Sequence, residues 1–158
     1  MDASIIVCSY NRADSLSQTL TALRQQHVNP EITWEVIIVD NNSNDHTREV
    51  VENAQRKWPE LHYTLEPQQG LSHARNHGIK YASGDILLFT DDDVLPESEW
   101  LKTTLIGMEE YQADAHVRII IELISFKYGC RTNNRICISY LSISRFRKGQ
   151  ILFYDKSY

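Results

Sequence analysis

The sequence predicts an α/β fold, a mostly parallel sheet with helices on both faces, and three observations carry that prediction. Short apolar, β-branched runs alternate with stretches of helical periodicity. The links between them are short, as in repeated strand–helix–strand units. The polar clusters SYNR, DNNSND and DDD each stand directly after or at the end of a predicted strand, which is where ligands bind in sheets of this kind.

Each element has its own signal. SIIVCSY (Ser4–Tyr10) is the first strand, and the stretch after it places Leu16, Leu20 and Leu23 on one helical face, with Asp14 as the expected N-cap. WEVIIVD (Trp34–Asp40) is a buried, β-branched strand. Polar NNSND follows, then a helix with Val50, Val51, Ala54 and Trp58 on its apolar side, stopped by Pro59. LHYTLE (Leu61–Glu66) is the third strand, and Pro67–Gly70 turn the chain into a helix over Leu71–Ala82 that Ser83 and Gly84 end. DILLFT (Asp85–Thr90) is the most continuously apolar strand and is expected at the centre of the sheet. A last helix is expected over Glu97–Tyr111, with Pro96 near its first turn and Trp100, Leu101, Leu105, Met108 and Tyr111 inward.

With 158 residues, 42% hydrophobic and 23% charged, the chain suits one globular domain and excludes disorder and collagen. Its formal charge of −5 is unevenly spread: residues 1–115 hold 19 acidic and 8 basic side chains, residues 116–158 hold 2 and 8. Composition therefore divides the chain into 1–115 and a basic, atypical segment 116–158. Two readings of that segment compete: a strand-rich basic subdomain, or a stretch that does not complete this fold, such as out-of-frame translation. The abrupt end of the periodic pattern favours the second. Strands within it are expected around Arg135–Ile143 and Gln150–Tyr154.

Cys8, Cys130 and Cys137 neither pair evenly nor stand at zinc-knuckle spacing, so free thiols in a reducing compartment are expected. No apolar run approaches the ~20 residues of a membrane-spanning helix. The opening MDASIIVCSYNR lacks a basic start and a cleavage site and enters a strand at once. A cytoplasmic protein is expected, with at most peripheral membrane contact and no nucleic-acid partner.

Three adjacent carboxylates, Asp91, Asp92 and Asp93, repel one another unless a cation neutralises them. Alternation on an extended backbone would aim Asp91 and Asp93 together while Asp92 turns aside. A hard ion such as Mn²⁺ or Mg²⁺ accepts carboxylate and phosphate oxygens, which points to a nucleoside diphosphate bridged to the protein. The plainer alternative is a solvated turn before the next helix. Asp40 can accept a hydrogen bond from a heterocycle's N–H, or simply cap the following helix. Tyr10, Asn11 and Arg12 leave the first strand beside it with an aromatic ring, an amide and a cation. Arg75 carries a charge suited to a phosphate or a base carbonyl, though such a residue is often just a solvated helix charge.

Other chemistries find no support. His73 and His77 stand four apart in HARNH, without the glutamate of a metalloprotease helix, and no GxG or GxxxxGK element occurs. Ser9 and Ser72 lie in no nucleophile elbow. Metal-dependent phosphatases and receiver-like proteins need an acid after the first strand, where this chain has SYNR.

The ordered set SIIVCSYNRADSLSQTL, VIIVDNNSNDHT and GLSHARNHGIKYASGDILLFTDDDVLP resembles the family 2 glycosyltransferases of the Rossmann-like GT-A fold, over Ser4 to Tyr111. The resemblance implies that Tyr10 and Arg12 flank a nucleotide base, usually uracil, that Asp40 pairs with its N–H, and that Arg75 helps hold base or diphosphate. Ser9, Asn11 and Asn42 belong to the same nucleotide-sugar-binding loops. Asp91 and Asp93 match a DxD element with Asp92 in the middle, and the resemblance implies that Asp91 and Asp92 contact the nucleotide sugar and that Asp91 and Asp93 bind a Mn²⁺ or Mg²⁺ ion. The implied partners are a UDP-sugar donor and a saccharide, lipid or protein acceptor. The family's downstream acidic base and QxxRW-like helix have no recognisable match: Glu122 and Asp155 are the only acids after Asp114. The fold is therefore expected to be incomplete on its C-terminal side, with turnover doubtful. The competing class is a non-catalytic nucleotide- or partner-binding module of the same fold, its basic tail meeting an anionic surface.

Overall fold

The computed structural model describes residues 1–110 and the backbone of residues 143–145. Four strands, β1 (Ala3–Ser9), β2 (Trp34–Asp40), β3 (Leu61–Leu65) and β4 (Ile86–Asp91), alternate with helices α1 (Ala13–Arg24), α2 (Thr47–Gln55), α3 (Leu71–Tyr81) and α4 (Trp100–Glu110). The sheet runs β3-β2-β1-β4-β5, where β5 is Ile143–Arg145. The first four strands are parallel, and β5 pairs antiparallel to β4. The centre of the sheet is therefore β1 and not β4, the strand expected there from its apolar run; β4 lies beside it and is internal only through its pairing with the three residues of β5. β5 meets the expected strand Arg135–Ile143 only at its last residue; the rest of that strand, Gln150–Tyr154, Tyr111, Cys130, Cys137, Glu122 and Asp155 lie outside the described residues.

Side-chain alternation sorts the core into two layers. Ile5, Val7, Val36, Ile38, Leu61 and Leu88 pack with Leu16, Leu20 and Leu23 of α1, Val51 of α2, and Leu101 and Met108 of α4. On the opposite face Ile6, Ile37, Val39, Leu87 and Phe89 pack with Ala74 of α3. Helices therefore cover both faces. Among the described residues no helix is long and apolar enough to cross a membrane.

Three local expectations are corrected. Asp14 is not the N-cap: α1 begins at Ala13 after Arg12, whose side chain makes no cap bond, and Asp45 Oδ2 accepts the Ala13 N–H at 3.0 Å from the next loop. Trp58 is buried but lies beyond α2, which ends at Gln55. The fourth helix starts at Trp100 rather than Glu97. There the buried Gln26 donates to the Glu97 carbonyl at 2.7 Å and accepts the Leu101 N–H at 2.9 Å, so a side chain from the end of α1 does the work of a cap.

Candidate nucleotide-sugar site

The parallel register brings the polar strand ends to one rim. Ser9 lies opposite Asp40, and Cys8 lies opposite Asp91. The loops after β1 and β2 are zipped together. Asn41 donates its N–H to the Ser9 carbonyl at 2.8 Å, Asn11 donates its own to Ser43 Oγ at 3.0 Å, and Asn44 donates to Asn11 Oδ1 at 2.7 Å. Asn11 and Asn42 both hold positive φ, 53° and 66°, a conformation asparagine tolerates better than most residues.

Asp40 is only 3% exposed, and each of its oxygens accepts one hydrogen bond, from the Ser43 N–H at 2.8 Å and the Tyr63 hydroxyl at 2.8 Å. A second lone pair remains on each oxygen. Burial and the bond to Asp40 push the Tyr63 phenol up to about 12. Tyr10, the residue after Ser9, stands open at 44% exposure.

The three aspartates have three environments. Asp92 is buried, accepts the Ser9 hydroxyl at 2.7 Å, and has its main-chain carbonyl bound by Thr19 Oγ1 at 3.0 Å. Asp93 is half-exposed and accepts a 2.6 Å bond from Arg12, whose guanidinium also stands 3.7 Å from Asp92. Asp91 is partly buried. Burial raises its pKa, Arg75 opposes that rise, and the negative charge of Asp93 adds to it. Burial likewise raises Asp92, against the bond from Ser9 and the charge of Arg12, with Asp93 adding to the rise. The Cys8 thiol is pushed up to about 12, chiefly by burial.

A divalent metal fits this donor set. Asp91 and Asp93 are hard oxygen donors, and the negative charge of Asp93 adds to the raised proton affinity of Asp91, a condition a dication would relieve. Among the described residues no group of three His, Cys, Asp or Glu side chains could hold a metal. The carboxylates would thus supply part of the coordination and a phosphate the rest, a common arrangement for Mg²⁺.

Several residues that build the rim were not singled out from the sequence. Asn41 donates to the carbonyls of Glu66 at 3.1 Å and Gln68 at 2.7 Å and accepts the Gly70 N–H at 2.8 Å. It thereby fixes the loop that leads into α3 and Arg75. Gly70 holds φ 136°, where a side chain would be strained. Asp45 also binds both the N–H and the hydroxyl of Thr47, joining the starts of α1 and α2. The signal was present in the Asn/Asp-rich loop, since these side chains bind nearby backbone, but spacing alone does not say which backbone.

Comparison with known proteins bears on the family and the fold. The profile described as Glycosyl transferase family 2 matches residues 4–156. The Escherichia coli UDP-Glc:alpha-D-GlcNAc-diphosphoundecaprenol beta-1,3-glucosyltransferase WfgD is 32% identical over 155 residues, 97% of this chain and 53% of its own. Both matches continue past the compositional break at residue 115. Glycosyltransferase AglE of Haloferax volcanii is 38% identical over 100 residues, 63% of this chain and 33% of its own. The structure of Staphylococcus aureus TarS 1–349 in complex with UDP-GlcNAc superposes with a TM-score of 0.66 at 31% identity, covering 73% of this chain and 33% of that one. The mannosyltransferase PcManGT from Pyrobaculum calidifontis, in complex with GDP-Man and Mn²⁺, gives 0.66 at 25% identity over 77% and 37%. The chain spans 20% to 53% of the length of these and similar curated relatives. On the profile match over residues 4–156, the chain belongs to glycosyl transferase family 2.

Proposed function

We propose that the rim formed by the ends of β1, β2 and β4 binds a nucleoside-diphosphate sugar, with UDP as the nucleotide, and that the protein transfers the sugar to an acceptor hydroxyl. Residues 1–115 are the donor half in this reading, and 116–158 a basic segment that adds β5 to the edge of the same sheet. The observation that carries it is the convergence of three loops on one edge: Asp40 beside Ser9, and Arg12 bonded to Asp93.

Each side chain has a task its environment suits. Tyr10 offers an open ring for a base to lie against. The remaining lone pairs of Asp40 accept a base N–H, with Tyr63 and Ser43 holding the carboxylate in place. Asn11 and Asn42 shape the loops, and Arg75 and Arg12 bring positive charge toward the diphosphate. Asp91 and Asp93 would hold Mn²⁺ or Mg²⁺, which when bound stabilises charge on a departing diphosphate. Support for the donor and the metal comes from the neighbours determined with UDP-GlcNAc and with GDP-Man and Mn²⁺. A lipid-linked saccharide or a polyol-phosphate polymer is the acceptor class suggested by the names of WfgD and TarS, with membrane contact then peripheral.

Titration calorimetry with UDP and Mn²⁺ tests this reading. Saturable binding that needs Mn²⁺ and is lost in Asp93→Ala is expected. Absence of heat, or binding unchanged by Asp93→Ala, would overturn it.

A further inference from the structure

We infer that Asp92 is a positioning residue: with Ser9 and Thr19 it forms a buried brace that sets the turn after β4, and it touches neither donor nor cation. The inference rests on the donor-site reading above for its consequence, though its geometry stands apart from it. β1 and β4 run in register to Cys8 and Asp91, so the next residue on each, Ser9 and Asp92, falls on the α1 face of the sheet. There the Ser9 hydroxyl donates to Asp92 Oδ2 at 2.7 Å while Thr19, within the Leu16–Leu20–Leu23 stripe of α1, donates to the Asp92 carbonyl at 3.0 Å.

All three are sealed from solvent, with exposures of 2% for Ser9, 0% for Thr19 and 6% for Asp92. A hydroxyl among core leucines is costly unless it is bonded. Thr19 has its bond with the residue at the middle of the aspartate triplet. Side chain and main chain of Asp92 are thus held from two different elements. The flanking residues stay within reach of each other's charge, Asp91 also facing the charge of Arg75 and Asp93 bonded to Arg12. The other contact of Asp92, 3.7 Å to Arg12, is longer than a hydrogen bond.

Amide hydrogen exchange over residues 91–95 of the ligand-free protein reads the brace directly, and Mn²⁺-dependent UDP binding reads its consequence. Thr19→Val, which keeps the shape and removes the donor, and Asp92→Ala are expected to accelerate exchange in this turn and weaken UDP binding by about tenfold, the order of one buried hydrogen bond. Thr19→Ser and Asp92→Asn, which can still pair, are expected to restore both to within about twofold. Native exchange in Thr19→Val and Asp92→Ala overturns the brace. So does loss of UDP binding in Asp92→Asn with native exchange, which makes Asp92 a ligand. Asp93→Ala separates the two ideas: if it binds UDP normally, the metal-site reading falls, and the exchange data still decide on the brace.

Discussion

Arg12 donates a 2.6 Å hydrogen bond to Asp93, so the residue that opens α1 and the last residue of the aspartate triplet, 81 positions apart in the chain, form one ion pair at the mouth of the rim. Both side chains are about half exposed, at 54% and 51%. In water such a pair contributes roughly 0–1 kcal/mol to stability, which leaves it free to be exchanged for a ligand. Arg12→Gln is expected to leave the melting temperature unchanged and to leave Asp93 open to a cation. Binding of Mn²⁺ alone, followed by electron paramagnetic resonance, should be equal to or tighter than wild type, while UDP binding weakens. Weaker binding of Mn²⁺ alone would count against competition between guanidinium and metal.

Asn41→Ala removes three hydrogen bonds at a buried position and strips partners from the Glu66 and Gln68 carbonyls and the Gly70 N–H. A loss of about 2–3 kcal/mol in urea denaturation is expected. Because the same bonds fix the entry to α3, nucleotide binding should fall even at temperatures where the variant is fully folded. A variant with native stability would show that the loop is held by other means.

Gly84 has no room for a side chain. A Cβ there would stand 2.5 Å from the Ala3 carbonyl carbon and 2.6 Å from the Ser4 nitrogen, both backbone atoms of an interior strand. Its N–H also donates to Ser4 Oγ at 2.8 Å. Gly84→Ala should therefore cost at least about 3 kcal/mol, read as a lowered melting temperature or loss of soluble protein. A near-neutral result would mean that the turn before β4 can shift.

Tyr63 gives a pH dependence with a definite sign. Its phenol ordinarily titrates near 10, and burial, with the bond to Asp40, pushes it up to about 12 in the folded chain. The folded state holds the proton more tightly, so this contribution to stability is complete below pH 10 and is lost as pH rises toward 12. The urea midpoint of the wild type should fall more steeply across that interval than that of Tyr63→Phe. Identical slopes would remove the coupling between Tyr63 and Asp40.

The pairing of Asp40 with Tyr63, and of Ser9 with Asp92, marks the boundary of what could be read from the chain. The strands were legible because each is a short β-branched run with its own turn signals. Their parallel arrangement followed from the helices between them. The positions of Asp40 and Asp91 at strand ends were equally legible, since they interrupt apolar runs. Asp14 failed as the expected cap because Asp45, from another loop, reaches the Ala13 N–H instead. Trp58 misled because a buried aromatic at helical spacing looks the same whether or not the helix extends to it.

The sequence by itself determined the order of elements, the two apolar layers and the set of charged groups along one edge, because these depend on local periodicity and on side chains adjacent in the chain. Only the tertiary structure decided which of those groups face each other. The register of β1 against β2 and β4 placed Ser9 beside Asp40 and aligned Cys8 with Asp91. α1 supplied the Thr19 hydroxyl that binds the triplet from below. Contacts of this kind join residues tens of positions apart, and their partners are selected by packing geometry, which no local pattern encodes.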